Sequence, residues 1–319
     1  MTLRITRAGP ACTVQDAGRH GYLRFGITPA GPMDWIAHAT ANWLADNGPG
    51  AAAVEIGPGG LSATAAAPVR VALSARGFRV ARNGNPLPTR VAVTLHAGDR
   101  LDVLPGPENL WAYLALPGGI ACAPVMGSRS SHLRSGLGPM GALAAGDTVS
   151  PAGASAAPDL CLIDPAPPPA GTIRYVPGPQ ADRFAPGTHA LFAAATWTVA
   201  AKSDRMAYRL SGPAIAAIGG HDIVSDGIAL GAIQVPGDGQ PFVLMADRQP
   251  TGGYPKLGTV IRADLPRLAQ TRPGQPLRMT PVPVDQAVSA LRAATPDPAR
   301  LKPQMRHLRT VPAGGPHNA

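Results

Sequence analysis

The ten residues from Asp247 to Lys256, DRQPTGGYPK, set a guanidinium, a hydroxyl, a phenol and an ammonium around a pair of glycines. That mixture suits a small anionic or amide-bearing ligand. Arg248 can grip a carboxylate through two parallel N–H groups, and Thr251 or Tyr254 can donate to a carbonyl. Lys256 brings a charge or a proton. Gly252 and Gly253 allow positive φ and a close approach of backbone to ligand. An internal Asp–Arg network is the alternative reading of the same residues.

Three further stretches have comparable chemistry. TVQDAGRHGY, Thr13 to Tyr22, sets Gln15, Asp16, Arg19 and Tyr22 around two glycines just ahead of a helix. It reads either as an Asx turn, with Asp16 bonding local backbone, or as a helix entrance where N–H groups and Arg19 meet a carboxylate. GSRSS offers Ser128 and Arg129 as an anion loop. SDRMAYRL groups Asp204, Arg205, Tyr208 and Arg209, fit for a ligand contact or an internal network. Gln234, before the Pro-Gly-Asp-Gly turn, completes the candidate set.

Familiar signatures fail. Gly136-x-Gly138-x-x-Gly141 has the spacing of a dinucleotide fingerprint, but Pro139 interrupts it and no adequate helix follows. None of the lysines at 202, 256 and 302 lies in a P-loop. The histidines show no HxH or HExxH spacing, so no metal is expected. His221, Asp222 and Ser225 are neighbours in sequence, which is not a triad, and read as solvated loop residues.

The elements that must hold these groups are mostly strands. The chain has 319 residues, 45% hydrophobic and only 4% aromatic, with 38 glycines and 37 prolines. Abundant Pro and Gly interrupt long helices and favour short strands between tight turns. Length alone points to two domains. Short apolar or alternating runs at Leu3 to Thr6, Val69 to Ser74, Val91 to Leu95, Leu101 to Leu104 and Trp111 to Leu116 read as strands, and Asn83-Gly84 as a hairpin turn. One amphipathic helix is expected over Asp34 to Asp46, and a short one over Ala263 to Thr271 with Pro266 in its first turn. The Pro/Ala-rich segment from Ala152 to Gly171 reads as a connection. The expected division is therefore 1–165, 172–290 and a disordered tail at 297–319.

The formal net charge of +9 raises nucleic acid as a partner. The cations are scattered arginines without a clustered basic helix, which argues against it. Cys12, Cys122 and Cys161 are sparse and unpaired in spacing, as in a reduced cytoplasmic protein, and no run has the length of a membrane span.

With these residues in place, the sequence resembles the biotin-dependent carboxyltransferase-like family, which takes in 5-oxoprolinase C subunits, KipA proteins and the carboxyltransferase domain of urea carboxylase. The resemblance runs over about residues 3 to 285. It rests on TVQDAGRHGY, the GPMDW helix region, AAVEI, PGGI with GSRSS, IRYVPGPQADRF, SDRMAYRL, SDGIALGAIQVPGDGQP and MADRQPTGGYP, in that order. Two departures stand out: Ala207 where the family has Gly, and Pro250-Thr251 where it has paired threonines. The resemblance implies a mainly β protein of two cyclophilin-like β-barrel domains with a few short helices. It implies the C component of an ATP-dependent complex that converts 5-oxoproline to glutamate, working with a KipI-like B component and a third, A component. ATP would then belong to the complex, since this chain has no P-loop. Two alternatives stay open. One is a carboxyltransferase acting on urea or another amide, with carboxybiotin supplied by another protein, since no Met-Lys-Met carrier motif is present. The other is a non-catalytic regulator that binds a KipI-like partner.

Overall fold

The computed structural model describes residues 1–163 and 172–308. The end of the connecting segment, 164–171, and the final residues 309–319 lie outside the described residues. Strands dominate, and they form a closed barrel in the C-terminal half and two sheets in the N-terminal half.

The N-terminal sheets share one apolar core because their strands alternate. In Val69–Ser74, Val69, Val71 and Leu73 face a core with Leu3, Ile5, Leu61, Val91, Leu101 and Val103. Ala72 points the other way, with Ala53, Ala92 and Ala115, into a second core. All six residues of that strand are buried, as expected of a central strand covered on both faces. Small alanines on the second face leave room for the helix Trp35–Leu44, which brings Ala41 and Leu44 against them. Asp34 starts that helix, its Oδ1 accepting from the N–H groups of Ile36 and Ala37. The hairpin falls where the sequence places it: Phe78–Arg82 and Asn85–Leu87 flank Asn83 and Gly84, both with positive φ, 51° and 79°.

The barrel runs Thr172–Pro177, Lys256–Val260, Ala232–Gln234, Phe242–Leu244, Ala207–Ser211, Trp197–Val199 and Pro276–Pro281, and closes by a parallel pairing of the last strand with the first. Tyr175, Phe192, Trp197, Leu210, Ile233 and Met279 fill it. Its core is continuous with the alanine face of the N-terminal half through Trp111, whose Nε1 donates to Tyr208 Oη at 3.2 Å. The mainly β class and the closed C-terminal barrel agree with the expectation. The strands of the N-terminal half form two sheets around a shared core.

The tail expectation needs correction as far as residue 308. Pro298–Leu301 is helical, and Met305–His307 pairs antiparallel with Leu160–Leu162, adding a last strand to the N-terminal sheet. Polar composition hides it, because a strand of three residues has no readable period. The helix Val284–Ala294 is a further element beyond those expected, and the Ala263 to Thr271 helix is realised as Leu265–Gln270.

A buried ionic knot joins the halves. Arg205, beside the barrel strand Ala207–Ser211, donates from Nε and Nη2 to both oxygens of Asp247, at 2.9 and 2.8 Å. Its Nη1 reaches Glu55 Oε1 in the N-terminal half, and Nη2 also meets the carbonyl of Gly31 at 2.8 Å. The other oxygen of Glu55 accepts from Tyr113 Oη at 2.6 Å and Met33 N at 2.8 Å. Nearby, Gln270 accepts from Leu110 N and Trp111 N and donates to Asp34. Every polar atom of the knot has a partner, the condition under which a buried charge is tolerated. Arg205→Met leaves Glu55 and Asp247 buried without their cation. It is expected to lower the unfolding free energy by about 3–5 kcal/mol in urea titration.

Candidate functional site

The candidates divide into an N-terminal lattice and a rim on the C-terminal barrel. In the lattice, the loop GSRSS does cradle an anion, and the anion is the chain's own Asp16. Ser128 Oγ and Ser130 Oγ donate to Asp16 Oδ1 at 2.6 and 2.7 Å, and Arg129 N donates to Oδ2 at 2.6 Å. Gly18 N adds a bond to Oδ1 at 2.9 Å, as in an Asx turn. Burial works to raise the Asp16 carboxyl, but these donors outweigh it and hold the group below its ordinary 3.8. The Arg129 side chain turns away, its Nε donating to Cys122 O at 2.7 Å.

Gln15 is fully buried. Its amide nitrogen donates to Thr13 Oγ1 and Ser131 O, both at 2.9 Å, and its oxygen accepts from Gly31 N. Arg19 is 1% exposed and holds the carbonyls of Val125 and Ser130. These polar groups thus fold the glycine turn onto the 125–131 loop. Arg205 belongs to the ionic knot, with its donors directed to Asp247, Glu55 and Gly31. The N-terminal turn still reaches the C-terminal loop, through Thr28 Oγ1 donating to Arg248 O at 2.8 Å.

The rim has a different character. A two-stranded ribbon, Asp226–Gly227 against Thr251–Gly252, stands beside the barrel strand Lys256–Val260. Gln234 lies opposite Lys256 at a register shift in the barrel, and its amide donates to Tyr254 O at 3.3 Å. Gly252 packs closely here, since a Cβ would come within 2.6 Å of Ile228 Cδ1 and 2.9 Å of Gln234 Nε2, side-chain ends that would have to shift. The Lys256 side chain is buried and its Nζ pairs with Asp226. Gln180 braces that pair: its Nε2 donates to Asp226 Oδ2 at 3.2 Å, and its Oε1 accepts from Lys256 N at 3.1 Å. Thr251 and Tyr254 are exposed on the ribbon and the following turn.

Arg248 sits behind the ribbon, 7% exposed, with Nε donating to Ile228 O at 3.1 Å. No carboxylate of the described residues offsets its burial, and desolvation pulls its guanidinium down to about 10. The fully compensated Arg205 is the contrasting case. A buried cation without a counter-ion is costly, and an anionic ligand relieves that cost. So the structure brings Gln234, Thr251, Tyr254 and Lys256 together with Arg248 close behind, and it holds Gln15, Arg19, Ser128 and Arg129 in a separate lattice. A cavity of about 780 Å³ between the halves is lined by none of these candidates.

Sequence reasoning assigned no role to Asp226 and Gln180. Both lie in quoted motifs, SDGIALGAIQ and IRYVPGPQADRF, far from Lys256 along the chain, so only the barrel pairing brings them to it.

Two outcomes test these assignments. Arg248→Met removes a buried charge that no described carboxylate compensates, so stability should be unchanged or raised by about 1–2 kcal/mol in thermal unfolding. Loss comparable to that expected at Arg205 would show a structural role. Asp16→Asn should cost about 1.5–3 kcal/mol at neutral pH, the worth of hydrogen bonds to a charged group. Because the folded carboxyl lies below its ordinary 3.8, the stabilisation is full above that pH and is lost as pH falls through the folded value. Denaturation of wild type and variant at pH 7 and pH 2 should show the gap closing in acid.

Comparison with known proteins now places the chain. The family described as "Carboxyltransferase domain, subdomain A and B" matches residues 25–281. The 5-oxoprolinase C subunit of Escherichia coli (strain K12) is 36% identical over 295 residues, covering 90% of this chain and 94% of that protein. That of Haemophilus influenzae is 31% identical, covering 88% and 91%. The urea amidolyase of Lachancea kluyveri is 30% identical over 87% of this chain, which corresponds to only 17% of that much longer protein. Among solved structures, TTHA0988 superposes with a TM-score of 0.80 at 31% identity, and this chain covers 56% of it. The Kluyveromyces lactis urea amidolyase superposes at 0.82 and 25% identity, with 20% of that chain covered. The matched span takes in the ionic knot and the whole barrel rim, and the chain belongs to the carboxyltransferase-domain family.

Proposed function

We propose that this chain acts as the C component of a 5-oxoprolinase, opening the lactam of 5-oxoproline to glutamate in an ATP-consuming complex with a KipI-like B component and a third, A component. Similarity to two proteins named as 5-oxoprolinase C subunits, over nearly their whole length, supports the reading. The observation that carries it is Arg248, a buried guanidinium beside a glycine ribbon, with no carboxylate partner among the described residues.

In this reading Arg248 takes the carboxylate of 5-oxoproline. Tyr254, Thr251 and the Lys256–Asp226 pair lie at the exposed edge, where oriented donors can stabilise negative charge growing on the lactam oxygen. Asp226, being half-exposed, is the member of that pair within reach of solvent or substrate. ATP is used by the assembled complex, and this chain has no P-loop to hold it. Pro250 removes one hydroxyl and one N–H from the ribbon's start, and Thr251 remains to donate there.

Similarity to urea amidolyases supports a second reading, carboxyl transfer to an amide with carboxybiotin arriving on another protein. Arg248 would serve an anionic carboxyl donor equally well. The three purified components, mixed with 5-oxoproline and ATP, should form glutamate. Arg248→Met should lower kcat/KM by about 10–100-fold, the worth of a charge-assisted contact of about 1.5–3 kcal/mol. Avidin-sensitive activity on an amide without glutamate formation would replace the first reading by the second. No turnover with all three components present would leave the chain a binding regulator.

A further inference from the structure

The loop from Ile218 to Ser225 stands against the glycine ribbon of the barrel rim, and the reaction proposed there makes no use of it. One guanidinium shapes it. Arg183 Nε donates to Ile218 O at 3.2 Å, and its Nη2 reaches the carbonyls of Gly219, Gly220 and Asp222 at 3.2, 3.1 and 3.3 Å. Ile218 N returns a bond to Arg183 O at 2.7 Å. At the far end Ile223 N donates to Gly253 O at 2.7 Å, which ties the loop to the turn carrying Tyr254. The main chain is therefore held at both ends.

What this braced loop displays is apolar. Val224 is 92% exposed and Ile218 51%. Tyr254, one residue from the Ile223–Gly253 bond, is exposed as well. Single exposed aliphatic side chains are ordinary on a protein surface, but three on one loop and its neighbouring turn form a patch of the kind that a partner buries. Because the backbone is already ordered, docking loses less entropy.

The surrounding charge says what kind of partner fits. The chain has a formal net charge of +9, yet the loop carries Asp222 with its side chain 81% exposed, and Asp182 is exposed beside Arg183. Neither carboxylate has a Lys or Arg partner among the described residues, and Asp226 is answered by Lys256. Arg183 offsets one of the two charges, so the loop keeps an excess of negative charge on an otherwise basic chain. Its complement is an apolar hollow bordered by cations.

We propose that the Ile218–Ser225 loop, with Tyr254 beside it, is the knob on which the KipI-like B component seats, through an apolar hollow with a basic border. In naming that partner the inference rests on the reading above, and the B component is common to that reading and to the regulatory one. Seated there, it covers the exposed edge of the Lys256–Asp226 pair, since Asp226 directly follows the loop.

Isothermal titration of the full chain with the purified B component tests it. Saturable binding is expected, weakened at least tenfold by Val224→Asp and by Ile218→Asp, as for residues at the centre of an interface. Asp222→Lys should weaken it less and flatten its fall with added salt. Val284→Asp, at an exposed apolar position on the helix Val284–Ala294, should leave it unchanged. Val224→Asp alone decides if Ile218→Asp does not fold. No binding by the wild type, affinity unaltered in Val224→Asp, an equal loss in Val284→Asp, or a wild-type dimer that Val224→Asp dissolves would overturn the proposal. The reaction is judged separately from the surface. Glutamate formed by the three components with affinity unaltered in Val224→Asp sinks the surface alone, whereas Val224-dependent binding without turnover upholds the surface and sinks the reaction.

Discussion

One guanidinium, that of Arg205, sets where everything else can be. It is buried between Asp247, Glu55 and the carbonyl of Gly31, so it fixes the end of a barrel strand, an N-terminal strand and the glycine turn in one place. Burial alone would push Glu55 toward its neutral form and Arg205 toward loss of its proton. For the guanidinium, the attraction of the two carboxylates prevails and holds the proton more firmly than in water. An arrangement of this kind contributes little net stability over an apolar core, but it tolerates only one geometry. The residue following Asp247 is Arg248, so the knot also locates the base of the glycine ribbon.

The two neighbouring arginines show how one residue type takes opposite roles. Arg205 has a matched acceptor for every donor it uses. Arg248 has one carbonyl and, among the described residues, no carboxylate, and its guanidinium is correspondingly easier to deprotonate. Burial without compensation is the kind of local conflict that folds keep where a ligand completes the site. Lys256 falls between them, buried but paired with a carboxylate that still meets water.

The architecture was legible where the pattern was periodic. Val69 to Ser74 reads as a strand because its apolar residues alternate, and the first helix because Ile36, Ala39 and Trp43 recur at helical spacing. The Met305–His307 strand was not legible, since three residues of mostly polar character have no period. At the site, the residue types were readable but their partners were not. Ser128 and Arg129 have the composition of an anion loop, yet nothing local says that Asp16, more than a hundred residues earlier, supplies the anion. Asp226 and Gln180 come to Lys256 only once the barrel has closed. Arg248 was legible as a cation near glycines, and its want of a counter-ion was not.

The returning strand at Met305–His307 has a consequence for how the polypeptide is partitioned. Because it hydrogen-bonds to Leu160–Leu162, the chain begins in one half, crosses to build the entire barrel, and comes back to finish the sheet it left. The barrel is therefore topologically an insertion within its neighbour. The outermost position of that sheet also passes from Leu-Cys-Leu to Met-Arg-His, which puts a cationic side chain on a border that would otherwise invite another strand.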